Sequence, residues 1–146
     1  MVIFLSIDYS TGYQICTVAR KIHQHLTDKF RTYDITPEQW VILKKLSEQD
    51  KISQRELSDR VDKDPNNIKA LIDKLENKSL VKRLVNPDDK RAFLLCITEN
   101  GKALIKELIP LDERMIMDIE HGLSKEEISK LKSVLSKIHA NINNPN

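Results

Sequence analysis

Apolar residues return every three or four positions along most of this chain. Over residues 12–33 they are Ile15, Val18, Ile22, Leu26, Phe30 and Tyr33, which predicts one long helix. "DITPEQW" follows. Thr36 fits an N-cap, Pro37 the first helical position and Gln39 the return half of a capping box. A helix over 37–48 is expected there, with Trp40, Val41, Leu43 and Leu46 as its apolar residues. Ser53 and Glu56 form a second capping pattern, so a short helix runs to about residue 60, with Leu57 and Val61 inward. Asp64 then caps another helix with Pro65 first and Ile68, Leu71, Ile72 and Leu75 on one face.

At residue 80 the period changes. "LVKRLV" (80–85) and "AFLLCI" (92–97) are short runs rich in strand formers, and "NPDDKR" between them is a turn. This predicts a β-hairpin. Thr98 and Glu99 open a long helix through Leu104, Leu108, Leu111, Met115 and Ile119, with Pro110 expected to kink or interrupt it and Gly122 to stop it. Ser124 and Glu127 make a third capping box. The last helix carries Ile128, Leu131, Leu135, Ile138 and Ile142, a narrow seam of the kind that faces another helix. The fold class is mainly α with a small β-hairpin (α+β).

The order of elements carries the functional reading. Two short helices joined tightly are helix-turn-helix spacing, and a hairpin directly after them is a wing. In such a unit the second helix enters the DNA major groove by its N-terminal residues. Its outward face would present Asn66, Asn67, Lys69 and Ala70: Asn pairs with adenine, Lys reaches guanine or phosphate, and Ala admits close backbone approach. Ser53, Gln54 and Arg55 would meet phosphates at a helix N-terminus, with Lys74, Lys82 and Arg83 as further phosphate contacts. At the wing tip, Lys90 and Arg91 would enter the minor groove, and Asp88 or Asp89 would hold the arginine in place. An ordinary amphipathic helix and a solvated turn would show the same residues, so the helix alone does not decide.

Composition narrows the alternatives. The 146 residues include 40% apolar and 32% charged residues, which fits a globular chain. Net charge is +2, and residues 53–91 hold 10 Lys or Arg against 8 Asp or Glu, so DNA affinity would depend on placement more than on bulk charge. The apolar start "MVIFLSIDYS" has no basic region before it and Asp8 soon after, and reads as neither signal peptide nor membrane span. A cytoplasmic protein is expected. Three glycines supply no phosphate-binding loop, and no nucleophile–base signature is present, which argues against an enzyme. His23, His25, His121 and His139 make no metal pattern, and no cofactor is expected. Cys16 and Cys96, 80 residues apart, form no disulfide framework and read as small packing residues.

The motif Asp89-Lys90-Arg91 followed by "AFLLCITENGKAL" is similar to the D-x-R wing and L-T-x-x-G helix start of the MarR-type winged-helix transcription regulators. "ELSDRVDKDPNNIKALIDKLENKSLVKR" likewise resembles that family's two DNA-binding helices. The resemblance spans nearly the whole chain and implies a homodimer: residues 1–35 and 99–146 would form a helical dimerisation layer around a winged lobe at 36–98. It also implies a pseudo-palindromic operator on double-stranded DNA and, more often than not, repression released by a small amphipathic or aromatic effector. No effector residues are assigned. The chain departs from the family at Ser79, where members often have Gly, implying a looser helix end, and at Lys90, where many carry a second arginine. Two alternatives stand beside this reading. One is a winged helix that docks protein and not DNA; the other is a peroxide sensor acting through Cys16.

Overall fold

The computed structural model describes residues 7–144, so the apolar start up to residue 6 lies outside the described residues. After a 3₁₀ turn at Ile7–Tyr9, the elements are α1 (Thr11–Phe30), α2 (Pro37–Glu48), β1 (Ile52–Ser53), α3 (Gln54–Val61), α4 (Pro65–Asn77), β2 (Val81–Val85), β3 (Phe93–Ile97), α5 (Glu99–Glu120) and α6 (Lys125–Asn143). The chain divides into two compact units, Met1–Leu111 and Asp112–Asn146.

The expected caps fix the helix starts. At Thr36 and at Ser124 both halves of the capping box are formed. The Ser53 hydroxyl accepts the Glu56 N–H at 3.0 Å, and the Asp64 carboxylate accepts the Asn66 N–H at 2.8 Å. Each such cap satisfies a backbone donor that the helix itself leaves unpaired, worth about 1 kcal/mol. A left-handed Asp62 turns α3 into α4.

β1 was not foreseen. It pairs antiparallel with β3 (Ile52↔Leu95, Ser53↔Leu94), giving a sheet in the order β1-β3-β2. Two residues are too few to show a period of two, so the sequence carries no strand signal there. The core of the first unit lies where this sheet meets the helices. Leu57, Ile68, Ile72, Leu75 and Leu95 are fully buried, each worth about 1.5–3 kcal/mol in transfer terms. Phe30 and Trp40 close one end, with ring centroids 5.6 Å apart. In α2 it is Ile42 that turns inward, while Val41 is exposed.

Three further expectations need correction. Pro110 does not interrupt α5, which runs unbroken from Glu99 to Glu120, with Leu108 and Met115 buried before and after it. The end of α4 is not loose. Ser79 adopts the left-handed conformation (φ 61°) in glycine's place, its N–H donates to Glu76 at 2.9 Å, and the Leu80 N–H donates to Leu75 at 3.0 Å. These are both bonds of a complete Schellman motif. Cys16 is exposed, because it lies a step around α1 from the half-buried Ile15. Cys96 is buried as expected, and burial pushes its thiol up from the ordinary value.

In the second unit, no residue of α6 is buried: Leu131, Leu135 and Ile142 of the expected seam are 49%, 42% and 74% exposed. Among the described residues, no helix is long and apolar enough to cross a membrane.

Candidate nucleic-acid interface

The inward face of α4 is fixed by burial of Ile68, Ile72 and Leu75. That fixes the outward face as well, since residues one or two positions away point elsewhere. Asn66, Asn67, Lys69 and Ala70 are all exposed, in the first turns after Asp64. The expected base-reading set therefore shares one accessible surface at the start of the helix.

The hairpin ends in a compact tip. The Asp88 N–H donates to the Asn86 side chain at 2.9 Å, and the Arg91 N–H donates to Asp89 Oδ1 at 3.0 Å. The same Asp89 oxygen lies 3.5 Å from Arg91 Nε, while the arginine side chain is 94% exposed. Of the two aspartates offered by the sequence, Asp88 joins the turn by its backbone N–H, held by the Asn86 side chain, and Asp89 is the tether. Such a hold costs little to keep and leaves the guanidinium outward.

An open groove of about 550 Å³ separates this tip from the start of α3. Ser53, Gln54, Arg55 and Glu56 form one wall; Asn86, Asp89, Arg91, Ala92 and Phe93 form the other. The expected phosphate contacts Ser53, Gln54 and Arg55 thus face the expected minor-groove arginine across a single trough. Lys74 and Lys82 are exposed.

Arg83 is placed differently from the expectation. Its side chain is only 17% exposed and bridges two carboxylates of α4, Asp73 at 2.7 Å and Glu76 at 2.9 Å. Its backbone N–H also donates to Glu76 at 3.3 Å. The second oxygen of Asp73 accepts from Lys69 at 3.1 Å. Hydrogen bonds from Arg83 and then Lys69 hold the Asp73 carboxyl below its ordinary range. Sequence reasoning puts Asp73 on the outward face of this helix without a role and passes over Glu76; their i,i+3 spacing on α4, with Arg83 soon after, was the available signal.

Elsewhere, His23 on α1 pairs with Glu38 on α2 at 2.5 Å. Burial pushes the Glu38 carboxyl up, but the His23 hydrogen bond and charge, helped by Lys63, leave it lowered overall. No cluster of three or more metal-ligating side chains exists among the described residues.

Residues 35–93, the span from the start of α2 through the wing tip, match the MarR family model. The Bacillus subtilis HTH-type transcriptional regulator MhqR is 25% identical over 122 residues, 84% of each chain. These matches liken the chain to the MarR family over its central lobe. Its fold is that of solved MarR-type structures. A mutant of E. coli MarR complexed with operator DNA superposes with a TM-score of 0.84 at 25% identity, over 92% of this chain and 99% of that one. The S. aureus MepR–DNA complex gives 0.85 at 24% identity, over 91% and 98%. Bordetella bronchiseptica BpsR, whose DNA binding is regulated by 6-hydroxynicotinic acid, gives 0.87 at 20% identity, over 93% and 97%. The lobe is a winged helix-turn-helix of the kind seen in those MarR-type structures.

Proposed function

We propose that this protein is a MarR-type transcription regulator that binds a pseudo-palindromic operator as a homodimer and represses until a small amphipathic or aromatic effector releases it. The observation that carries the DNA reading is the shared trough, across which the start of α3 and the tethered Arg91 face one another; the first turns of α4 are exposed as well. A phosphate backbone passing through that trough meets the backbone N–H groups and polar side chains of Ser53, Gln54 and Arg55. Lys74 and Lys82 add phosphate contacts. Asn66, Asn67, Lys69 and Ala70 read bases in the major groove. Asp89 presents Arg91, with Lys90 beside it, to the minor groove, where negative potential is greatest.

The dimer reading rests on α6, whose apolar seam no side chain of its own unit buries. The first helix and the last two, α1, α5 and α6, then make the dimer layer with the lobe at 36–98, and two-fold symmetry sets the two recognition helices about 34 Å apart. Effector control draws on the likeness in fold to BpsR, whose DNA binding is regulated by 6-hydroxynicotinic acid. A cytoplasmic location follows from the DNA role.

The test is a fluorescence-anisotropy titration of wild type and Arg91→Ala against the DNA upstream of the protein's own gene, at two salt concentrations. Wild type binds with a clear salt slope, about 0.9 per neutralised phosphate. Arg91→Ala binds more weakly and with a shallower slope. Equal, salt-insensitive binding by both proteins would instead favour a lobe that docks protein.

A second reading has one observation behind it. Cys16 is exposed on α1, so peroxide has access to its thiol. Loss of DNA binding on peroxide treatment that disappears in Cys16→Ser supports it; equal peroxide response in both proteins removes it.

A further inference from the structure

We propose that Arg83 is a positioning residue for sequence recognition, acting through Asp73 on Lys69 without touching DNA. The inference rests on the DNA-binding reading above.

Arg83 sits on β2 and makes three hydrogen bonds to one face of the recognition helix, to Asp73 Oδ1, Glu76 Oε1 and Glu76 Oε2. These contacts fasten the rotation of α4 about its own axis to the wing sheet. They also occupy the guanidinium. To reach a phosphate, Arg83 would leave Glu76 and one oxygen of Asp73 without their cation, next to a polyanion. A fork that fits two carboxylates at once is a task for arginine's planar geometry.

Asp73 distributes its two oxygens. Arg83 holds Oδ1 at 2.7 Å and Lys69 holds Oδ2 at 3.1 Å. The side chain of Lys69 is 64% exposed and that of Arg83 is 17% exposed, so the two grips differ. The lysine bond is a solvent-screened i,i+4 pair that opens easily. When Lys69 swings to a base, Asp73 stays paired with Arg83, and no free carboxylate is left beside the DNA. Without Arg83, Asp73 has Lys69 as its remaining partner, and base reading competes with that ion pair.

The experiment uses duplex DNA that the wild-type protein selects from a random-sequence pool, and a scrambled duplex of equal length. Affinity, salt slope and unfolding midpoint are measured for wild type, Arg83→Met, Arg83→Lys, Asp73→Asn and the Arg83→Met/Asp73→Asn double variant. Arg83→Met should lose about tenfold in preference for the selected duplex, the scale of one misread base pair, with the salt slope unchanged. Arg83→Lys, which keeps the charge but not the fork, should lose preference as well. It also guards against misfolding of the Met variant. The double variant should regain part of the preference, because Lys69 is again free.

A salt slope lowered by about 0.9 per protomer in Arg83→Met, with full binding kept by Arg83→Lys, would mean that Arg83 contacts phosphate and would overturn the proposal alone. Unfolding midpoints that fall while preference holds would reduce Arg83 to a structural brace and overturn it too. Absence of salt-dependent binding by wild type would overturn the DNA reading itself and this proposal with it.

Discussion

Ser79 and Gly101 meet at one point and pull in opposite directions. Ser79 carries a Cβ in the left-handed region, which costs an L-residue about 1–2 kcal/mol. Its carbonyl accepts the Thr98 hydroxyl at 2.7 Å, and that hydroxyl in turn accepts the Gly101 N–H at 3.0 Å. A Cβ at position 101 would lie 2.3 Å from the Leu80 carbonyl oxygen and 2.6 Å from Ile97 Cγ1. Ser79→Gly should therefore raise stability by about 1 kcal/mol, read as a higher urea midpoint with unchanged m-value. Gly101→Ala should lower it by about 1–3 kcal/mol, because the obstruction includes backbone. Thr98 and Gly101 were legible as a helix-start motif, and the close approach explains why glycine is needed there. The conformation of Ser79 was not legible, since serine gives no signal for a positive φ; only the place where glycine is usual hinted at it. Cys16 was misjudged for a related reason. Periodicity places a residue on a helix face but does not say whether that face is covered within one chain.

The caps at Thr36, Ser53, Asp64 and Ser124 set the helix starts at the residues the sequence marked, because capping chemistry is local. β1 was hidden because its partner lies 43 residues downstream in the pairing Ile52↔Leu95 and its two residues show no alternation. The outward face of α4 was legible from its apolar stripe, whereas the use of Arg83 was not. A basic residue on a strand beside a DNA-binding helix reads as a phosphate contact until the neighbouring carboxylates are seen in three dimensions. That linkage has a pH consequence. Asp73 is held below the ordinary aspartate value of 3.8 by Arg83 and Lys69, so the folded state binds its proton less readily than the unfolded one. Its contribution is complete above that value and disappears as pH falls through the lowered one. Thermal unfolding midpoints recorded between neutral and strongly acidic pH should fall less steeply in Asp73→Asn than in wild type. Equal slopes would show that the pair contributes nothing to stability.

At the scale of the molecule, the winged lobe was readable because it builds its own core, with period and caps agreeing. The second unit was readable only as a pattern, since a seam names a contact without naming the partner. Leu135→Glu tests the proposed dimer. Charge placed in the seam should shift sedimentation from dimer to monomer and weaken operator binding by well over tenfold, because two linked lobes gain from effective concentration. The far-ultraviolet helix signal should remain. A variant that stays dimeric would place the interface elsewhere. The exposed residues of α6 also bear on how such a regulator reads its own abundance. A protomer that must find its twin before it grips a two-fold site fills that site in proportion to the square of its concentration while free protomers predominate. Dilution by growth or slow synthesis would then release the operator more sharply than an equal fold-change in affinity for DNA, and the seam of α6 would set the threshold.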